Sequence, residues 1–429
     1  MNNYILQALA VGGMILTGPV SAADSLKDTL ENLVSSHKRM NASNADVEAA
    51  RQNAKAAMGD WYPTLSITAS IGHETQNKPA DSVNTHYVPR EVDAKLTQQL
   101  WDFGSSNSAI RSAGLTLEQT TLTRDATRQN LILEGLVAYL NVVRANKLMG
   151  FAKGSADNIK RQAELEDARV SRGSGFSTDV LQAKTQLAGA EAKLIQTRGA
   201  LRSAVNRYRA VFGAPPEDIS KLRIPTLPLE LLPQSLESAI EETFKSNPQI
   251  HAAELSAKIA EEAIVKTRAD EFLPTLNAVA EHISKKDKGG TLGNQHENLF
   301  KIEYSHSFNL GLTAVNTLKA SEQSHISSVN TYGDTRDQIE EQVRNGWDSL
   351  ETARDNAGYL KNQADIASEF LELARKERKL GNRSLIDVLS GETALINASS
   401  DATSAETDVA IAVFSLLGVT GKLESSIFQ

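Results

Sequence analysis

The sequence is an internal duplication, and no single motif constrains the fold as much. The stretch from Ser25-Leu26 to Pro63-Thr64-Leu65 recurs from Ser235-Leu236 to Pro274-Thr275-Leu276, about 210 positions later. Gly173 followed by Thr178-Asp179-Val180-Leu181 recurs as Gly381 followed by Ile386-Asp387-Val388-Leu389, at an offset of 208. A steady offset means one structural unit built twice. The expected organisation is a first repeat over 24–213, a connector over 214–234, a second repeat over 235–421 and a short tail over 422–429.

Each repeat reads as a helical segment, a β-hairpin, a very long helix, a short tip and a return helix. Leu26, Leu30, Leu33 and Val34 share one helical face, with Asp24 or Ser25 as cap, and Leu236, Ile240 and Phe244 do the same in the second repeat. Ala-rich helix follows over 46–58 and 252–267. The period then changes from 3.6 to 2. Leu65, Ile67, Ala69 and Ile71 alternate with Thr64, Ser66, Thr68 and Ser70, giving a strand with one apolar and one hydroxyl-rich face. A polar loop over 73–89 leads to a second alternating run from Glu91 to about Trp101, so the first hairpin spans 62–103. The second hairpin spans 274–308, with a loop expected over 285–298. Phe300, Ile302, Tyr304 and Phe308 there alternate with Lys301, Glu303, Ser305 and Ser307.

The stretches 105–171 and 314–379 contain no proline and few glycines. About 65 helical residues extend roughly 100 Å, which fits a coiled-coil-like rod rather than a compact globule. The densest apolar patch is Leu131, Leu133, Leu136, Val137, Leu140 and Val143. Elsewhere Ala and Ser predominate. The long helices stop at breaks over 172–178 and 380–385, where Gly173, Gly175 and Gly381 supply the turns. Return helices follow over 178–211 and 385–417. The connector carries five of the 11 prolines.

Composition narrows the function classes. Aromatic residues are only 5% of the chain, and net charge is -8 from 45 basic and 53 acidic residues. With no Lys/Arg cluster, a nucleic-acid partner is not indicated. The chain has no cysteine, which excludes disulfides, thiolate catalysis and Cys-based zinc sites. Residues 1–23 read as a secretory signal: 5–18 are mostly apolar, and Val20-Ser21-Ala22 and Ser21-Ala22-Ala23 fit small-x-small cleavage. No later stretch has 18 uninterrupted apolar residues, so no transmembrane helix is expected. The eight histidines show no metal spacing, Gly289-Gly290 lacks the Lys-Ser/Thr of a phosphate loop, and Gly173-Ser174-Gly175 is no nucleophile elbow. No enzyme, cofactor or metal site is expected.

The hairpins bear on location. Trp61, Tyr62, Trp101 and Phe103 sit at strand ends, where interfacial aromatics belong. In lipid every backbone polar group needs a partner, so strand edges must close. Four strands cannot form a barrel, for which about eight are needed. Spanning strands therefore require several chains to share one barrel, apolar faces to lipid and polar faces to water. The alternative from the residues alone is a periplasmic coiled-coil scaffold or adaptor with a small soluble β part and no pore.

The duplicated order, with Trp61-Tyr62-Pro63-Thr64-Leu65, Phe272-Leu273-Pro274-Thr275-Leu276, Gln99-Leu100-Trp101-Asp102-Phe103-Gly104, Asn247-Pro248 and the two tip runs, resembles the TolC-like outer membrane efflux and secretion proteins over about 25–421. The resemblance implies a mainly α fold with a small β part. Three chains of four strands would make one outer membrane barrel above an α-helical coiled-coil barrel in the periplasm of a Gram-negative cell. It implies a homotrimer in outer membrane lipid, opened at its periplasmic tip by an adaptor protein and an inner membrane ABC or other transporter. The implied function is an exit duct for type I secretion or small-molecule efflux. The connector and the Leu-Trp-Asp-Phe-Gly element resemble secretion members more. Asp387 matches a gate aspartate. Ser390 stands where relatives often place a second acid, which implies a less charged gate. Asp179, beside Thr178, and Arg383 match tip positions that link neighbouring coiled coils. Read without the resemblance, Asp179 and Asp387 are acids that cap the return helices.

Overall fold

The structure, a computed structural model, describes residues 26–79, 82–308 and 310–428. The signal segment expected over 1–23 and the candidate caps Asp24 and Ser25 lie outside the described residues. In chain order the helices and strands are α1 (Leu26–Ser36), α2 (Lys38–Ala57), β1 (Thr64–Ile71), β2 (Glu74–Gln76), β3 (Thr85–Tyr87), β4 (Arg90–Trp101), α3 (Ser105–Ser171), α4 (Ser177–Phe212), α5 (Leu236–Ser246), α6 (Pro248–Phe272), β5 (Thr275–Lys286), β6 (Asn294–Ser305), α7 (Thr313–Lys379) and α8 (Leu385–Val419).

Apart from the β2–β3 ribbon of the first, the two repeats have the same order of helices and strands. α3 and α7 are each 67 residues long. Both end in the same reciprocal turn: Gly173 N–H donates to Val170 O and Ser174 N–H to Arg169 O, while Gly381 N–H donates to Arg378 O and Asn382 N–H to Glu377 O. These bonds satisfy carbonyls that a helix end would leave open. Gly173 and Gly381 take φ of 74° and 82°, a region costly for residues with a Cβ. Gly175 lacks that requirement, and its own constraint is a tight approach to Val170.

Four features differ from the sequence reading. α2 begins at Lys38 rather than near 46, because His37 caps it by accepting the Arg39 N–H at 3.1 Å and no breaker intervenes. The polar loop over 73–89 folds back as the two-stranded ribbon β2–β3. The loop expected over 285–298 shrinks to 287–293, because strand pairing continues to Lys286↔Asn294; the polar side chains at 285–286 and 294–298 belong to strand residues. Phe308 lies beyond β6, which ends at Ser305.

The main core sits midway along the helices. Leu30, Leu131, Leu136, Leu140, Phe414 and Leu417 meet there fully buried. The tail is part of it: Leu423 and Phe428 are buried, and Phe428 lies 5.4 Å from the Phe414 ring. α8 is apolar and long enough to cross a membrane, with mean hydropathy 1.4 over its most apolar stretch. Half of that stretch is buried inside the protein, so core packing accounts for its hydropathy. Toward the tip the core thins to a small cluster of Ile159, Ala163, Ala183, Leu385 and Leu389.

Candidate functional site: the sheet and the helical tip

The four long strands form one antiparallel sheet in the order β1-β4-β5-β6. The hairpins of the two repeats are thus zipped together through β4 and β5, leaving β1 and β6 as edges. Alternation along the register sorts the side chains into two sets. The outward set includes Leu65, Ile67 and Ile71 of β1, Val92 and Leu96 of β4, and Phe300, Ile302 and Tyr304 of β6, all exposed. The inward set carries the carboxylates and their cation partners: Glu91 faces Lys285, Lys95 faces Glu281, Lys285 bonds Glu297 at 2.8 Å and Lys301 bonds Glu303 at 3.0 Å. Leu65 is 64% and Phe300 81% exposed; in water each would forfeit about 2 kcal/mol of burial. An outward apolar face of this extent marks a lipid- or protein-binding surface.

The apolar belt runs obliquely across the strands. On β1 its midpoint is near position 68. On β6 it is near Ile302, which pairs with Ala278, itself paired with Gln98. Thr97 pairs with Thr64, so Gln98 is level with position 63. The belt therefore slides by about five residues, or ~17 Å, over three strand spacings of ~4.8 Å each. That slant is on the order of 45°, the tilt at which strands of a closed barrel cross its axis.

The aromatics gather at the helical end of this sheet. Trp61 and Tyr62 precede β1, Trp101 ends β4, and Phe103 packs edge-on against Trp101 at 6.1 Å. Trp61 Nε1 donates to Asn107 Oδ1 at 3.3 Å, and its carbonyl accepts from Gln98. Between strand and helix the chain turns sharply, with Phe103 at φ 55° and Gly104 at φ 100°. Asp102, buried, clamps the turn: its carboxylate accepts the N–H of Gly104 at 3.0 Å, the N–H of Ser106 at 2.6 Å and Gln99 Nε2 at 2.9 Å. Burial opposes the charge on Asp102, but these donors outweigh it and hold the carboxyl below its ordinary range. The Gln99-Leu100-Trp101-Asp102-Phe103-Gly104 motif is therefore a strand-to-helix hinge.

At the opposite end, the sequence-identified tip residues lie on the first turns of α4 and α8. Asp179 and Asp387 are third residues of their helices, not caps. Ser384 caps α8, its Oγ accepting the Asp387 N–H at 3.2 Å. Phe176 precedes α4 with no side-chain cap. Both acids still stand in the positive field of a helix start. Arg383 bonds Glu377 at 2.5 Å, lies 3.9 Å from Asp387 and covers the Phe370 ring at 5.4 Å. Within one chain it does not reach Asp179, which makes no ion pair among the described residues. Thr178 and Ser390 are exposed, Ser390 one turn beyond Asp387.

Sequence reasoning missed a buried ion lattice behind this tip. Glu166 accepts from Arg169 at 2.9 Å and from Arg378 at 2.8 Å. Glu392 pairs with Arg375 and accepts from Asn158 at 3.4 Å. Both carboxylates are 3% exposed, and together they tie α3 to α7 and α8. A signal was present: Glu166 continues the buried spacing Ile159–Ala163, and Glu392 the spacing Leu385–Leu389. A carboxylate on an apolar stripe requires a cation opposite.

The sequence matches the family described as "Outer membrane efflux protein" over residues 29–214 and 239–422, one segment in each repeat. The outer membrane efflux protein BepC of Brucella suis is 25% identical over 98% of this chain and 90% of that protein. The outer membrane protein TolC of Escherichia coli is 22% identical over 96% of this chain and 85% of that protein. Among solved structures, a membrane protein from Pseudomonas aeruginosa superposes with a TM-score of 0.80 at 20% identity, covering 92% of each chain.

Proposed function

Because this chain belongs to the outer membrane efflux protein family, and is therefore a Gram-negative outer membrane efflux or secretion channel rather than an enzyme, we propose that three copies close one barrel and one helical tunnel to form the exit duct. The observation that carries this reading is the oblique apolar belt on a sheet with two open edges. β1 and β6 run in opposite directions, so β6 of one copy can pair with β1 of the next as the internal strands already pair. Three copies give twelve strands with no edge, as hydrocarbon demands. Trp61, Tyr62, Trp101 and Phe103 then lie at the periplasmic border of the outer membrane.

In this reading the tip is the periplasmic gate. Three copies of Asp387 encircle the axis and attract cations. Asp179 accepts Arg383 from a neighbouring coiled coil once Arg383 releases Glu377. No nucleotide site is present in the sequence, so energy comes from an inner membrane transporter coupled through a periplasmic adaptor. The cargo is a secreted polypeptide or small molecules; the strand-to-helix motif favours the former, the likeness to an efflux protein the latter. A scaffold without a pore accounts for neither the exposed belt nor the family match in both repeats.

The test is conductance. Purified mature protein added to a planar bilayer should give discrete channels, and its expression should restore export in a host lacking such a duct. A protein that stays monomeric in detergent-free buffer and never conducts sinks the proposal.

A further inference from the structure

The outward face of the sheet changes chemistry at its distal border. Above Ala280 and Phe300 the outward residues are His282 and Asn298, then Ser284 and His296, then Arg90 and Lys286. Arg90 and Lys286 are direct cross-strand partners, and both are exposed. Neither has an ion-pair or hydrogen-bonding side-chain partner among the described residues. Two like charges directly opposite on one sheet face destabilise it. The outward positions of β1, β4, β5 and β6 hold no carboxylate to offset them. The inward face is treated differently: Lys285 and Lys301 there each bond a glutamate, and Lys95 faces Glu281. The His282 and His296 rings stack with centroids 6.2 Å apart, and His282 Nδ1 lies 2.7 Å from Asn298 Oδ1.

We infer that Arg90 and Lys286 form a site for the phosphate of an outer-leaflet lipid headgroup. This rests on the duct reading, since the belt must lie in a bilayer for the border to meet headgroups. Given that, the chemistry is direct. A phosphate monoester between the two side chains cancels their repulsion, and Arg90 can offer it a two-pronged donor pair. The lipid's acyl chains then run down the neighbouring belt over Leu96, Ala280 and Phe300. The site would fix the depth and rotation of the barrel through its lipid annulus. The same cations could bind free phosphate, so the source has to be tested.

The experiment uses the full mature assembly in mixed micelles containing equal phosphatidic acid and phosphatidylcholine, with retained lipid counted by native mass spectrometry. Wild type should retain phosphatidic acid preferentially. Arg90→Gln with Lys286→Gln should lower that preference roughly thirtyfold, the expected effect of two surface cations at a charged lipid border. The inward pair Lys95→Gln with Lys301→Gln should leave it unchanged. No preference in wild type, or an equal loss from the inward pair, overturns the site. Abolition of the preference by millimolar inorganic phosphate would assign it to a free oxyanion and overturn the lipid identification. Conductance of each variant separates the two readings: a wild type that conducts without the preference loses only this site, whereas one that never conducts loses the duct as well.

Discussion

Glu166 of the first repeat and Arg378 of the second meet at 2.8 Å behind the tip, so the two halves of the duplication are ionically joined where their cores are thinnest. Truncating one member of a buried pair leaves its partner's charge uncompensated, at a cost of about 3 kcal/mol. Glu166→Gln should therefore loosen the tip without unfolding the central core around Phe414. Hydrogen exchange should accelerate by one to two orders of magnitude over 166–180 and 375–390 and stay unchanged over 131–143. Equal acceleration in both regions would mean that the pair supports global stability instead.

The hinge at Asp102 gives a second expectation. Its carboxylate gathers two backbone N–H groups and Gln99, and all three lose a partner in Asp102→Ala. A lost cap of this kind costs about 1–2 kcal/mol. Asp102→Asn keeps an acceptor and should recover about half. The readout is the thermal midpoint of the purified assembly; no difference between the Ala and Asn variants would deny the carboxylate its clamping role.

Acid should destabilise the assembly with a sign set by two other carboxylates. Glu262 is held below its ordinary value of 4.5 mainly by hydrogen bonds from Arg111. For Glu134, burial pushes the other way, but Arg39 and Arg207 prevail and lower it. With folded values below unfolded ones, the unfolded chain binds more protons as pH falls. The stabilisation is thus fully present above about 4.5 and is lost as pH drops through the folded values. Thermal midpoints should fall on acidification from about pH 5.5 to 3.5, and Glu262→Gln should flatten that slope. An unchanged slope would place the acid sensitivity elsewhere.

Periodicity made the large features readable. The repeat offset located both 67-residue helices and both tips, because each long proline-free run ends at a glycine that permits the reversal. Alternation located β1 and most of β4 for the same geometric reason. The connection of the hairpins through β4 and β5, and the burial of Leu423 and Phe428 in the core, depend on contacts between residues far apart in sequence, which no local period reports. Asp102 was visible as part of a motif, but its role was not. The clamp needs the left-handed turn at Phe103 and Gly104, and a non-glycine residue such as Phe103 does not announce positive φ. The segment 285–298 looked like a loop because His296, Asn298 and Lys286 are polar, yet a strand that leaves the membrane needs no apolar residues there.

Asp387 offers the most direct probe of the proposed gate. It sits on the first turn of α8, 3.9 Å from Arg383, and Ser390 one turn on supplies no second charge. In a trimer the local charge at the constriction is then three carboxylates partly offset by three guanidiniums. Removing the carboxylates by Asp387→Asn keeps the side-chain volume and leaves Arg383 bound to Glu377, so the ring should shift from cation-preferring toward neutral or anion-preferring. In a planar bilayer under a tenfold KCl gradient, the reversal potential should move toward the chloride side, and block by trivalent cations from the periplasmic face should weaken at least tenfold, a loss of about 1.4 kcal/mol. Because Ser384 caps α8 through its own hydroxyl, the helix start should survive the substitution, and the thermal midpoint should shift little. An unchanged reversal potential with a lowered midpoint would assign Asp387 to helix stabilisation alone.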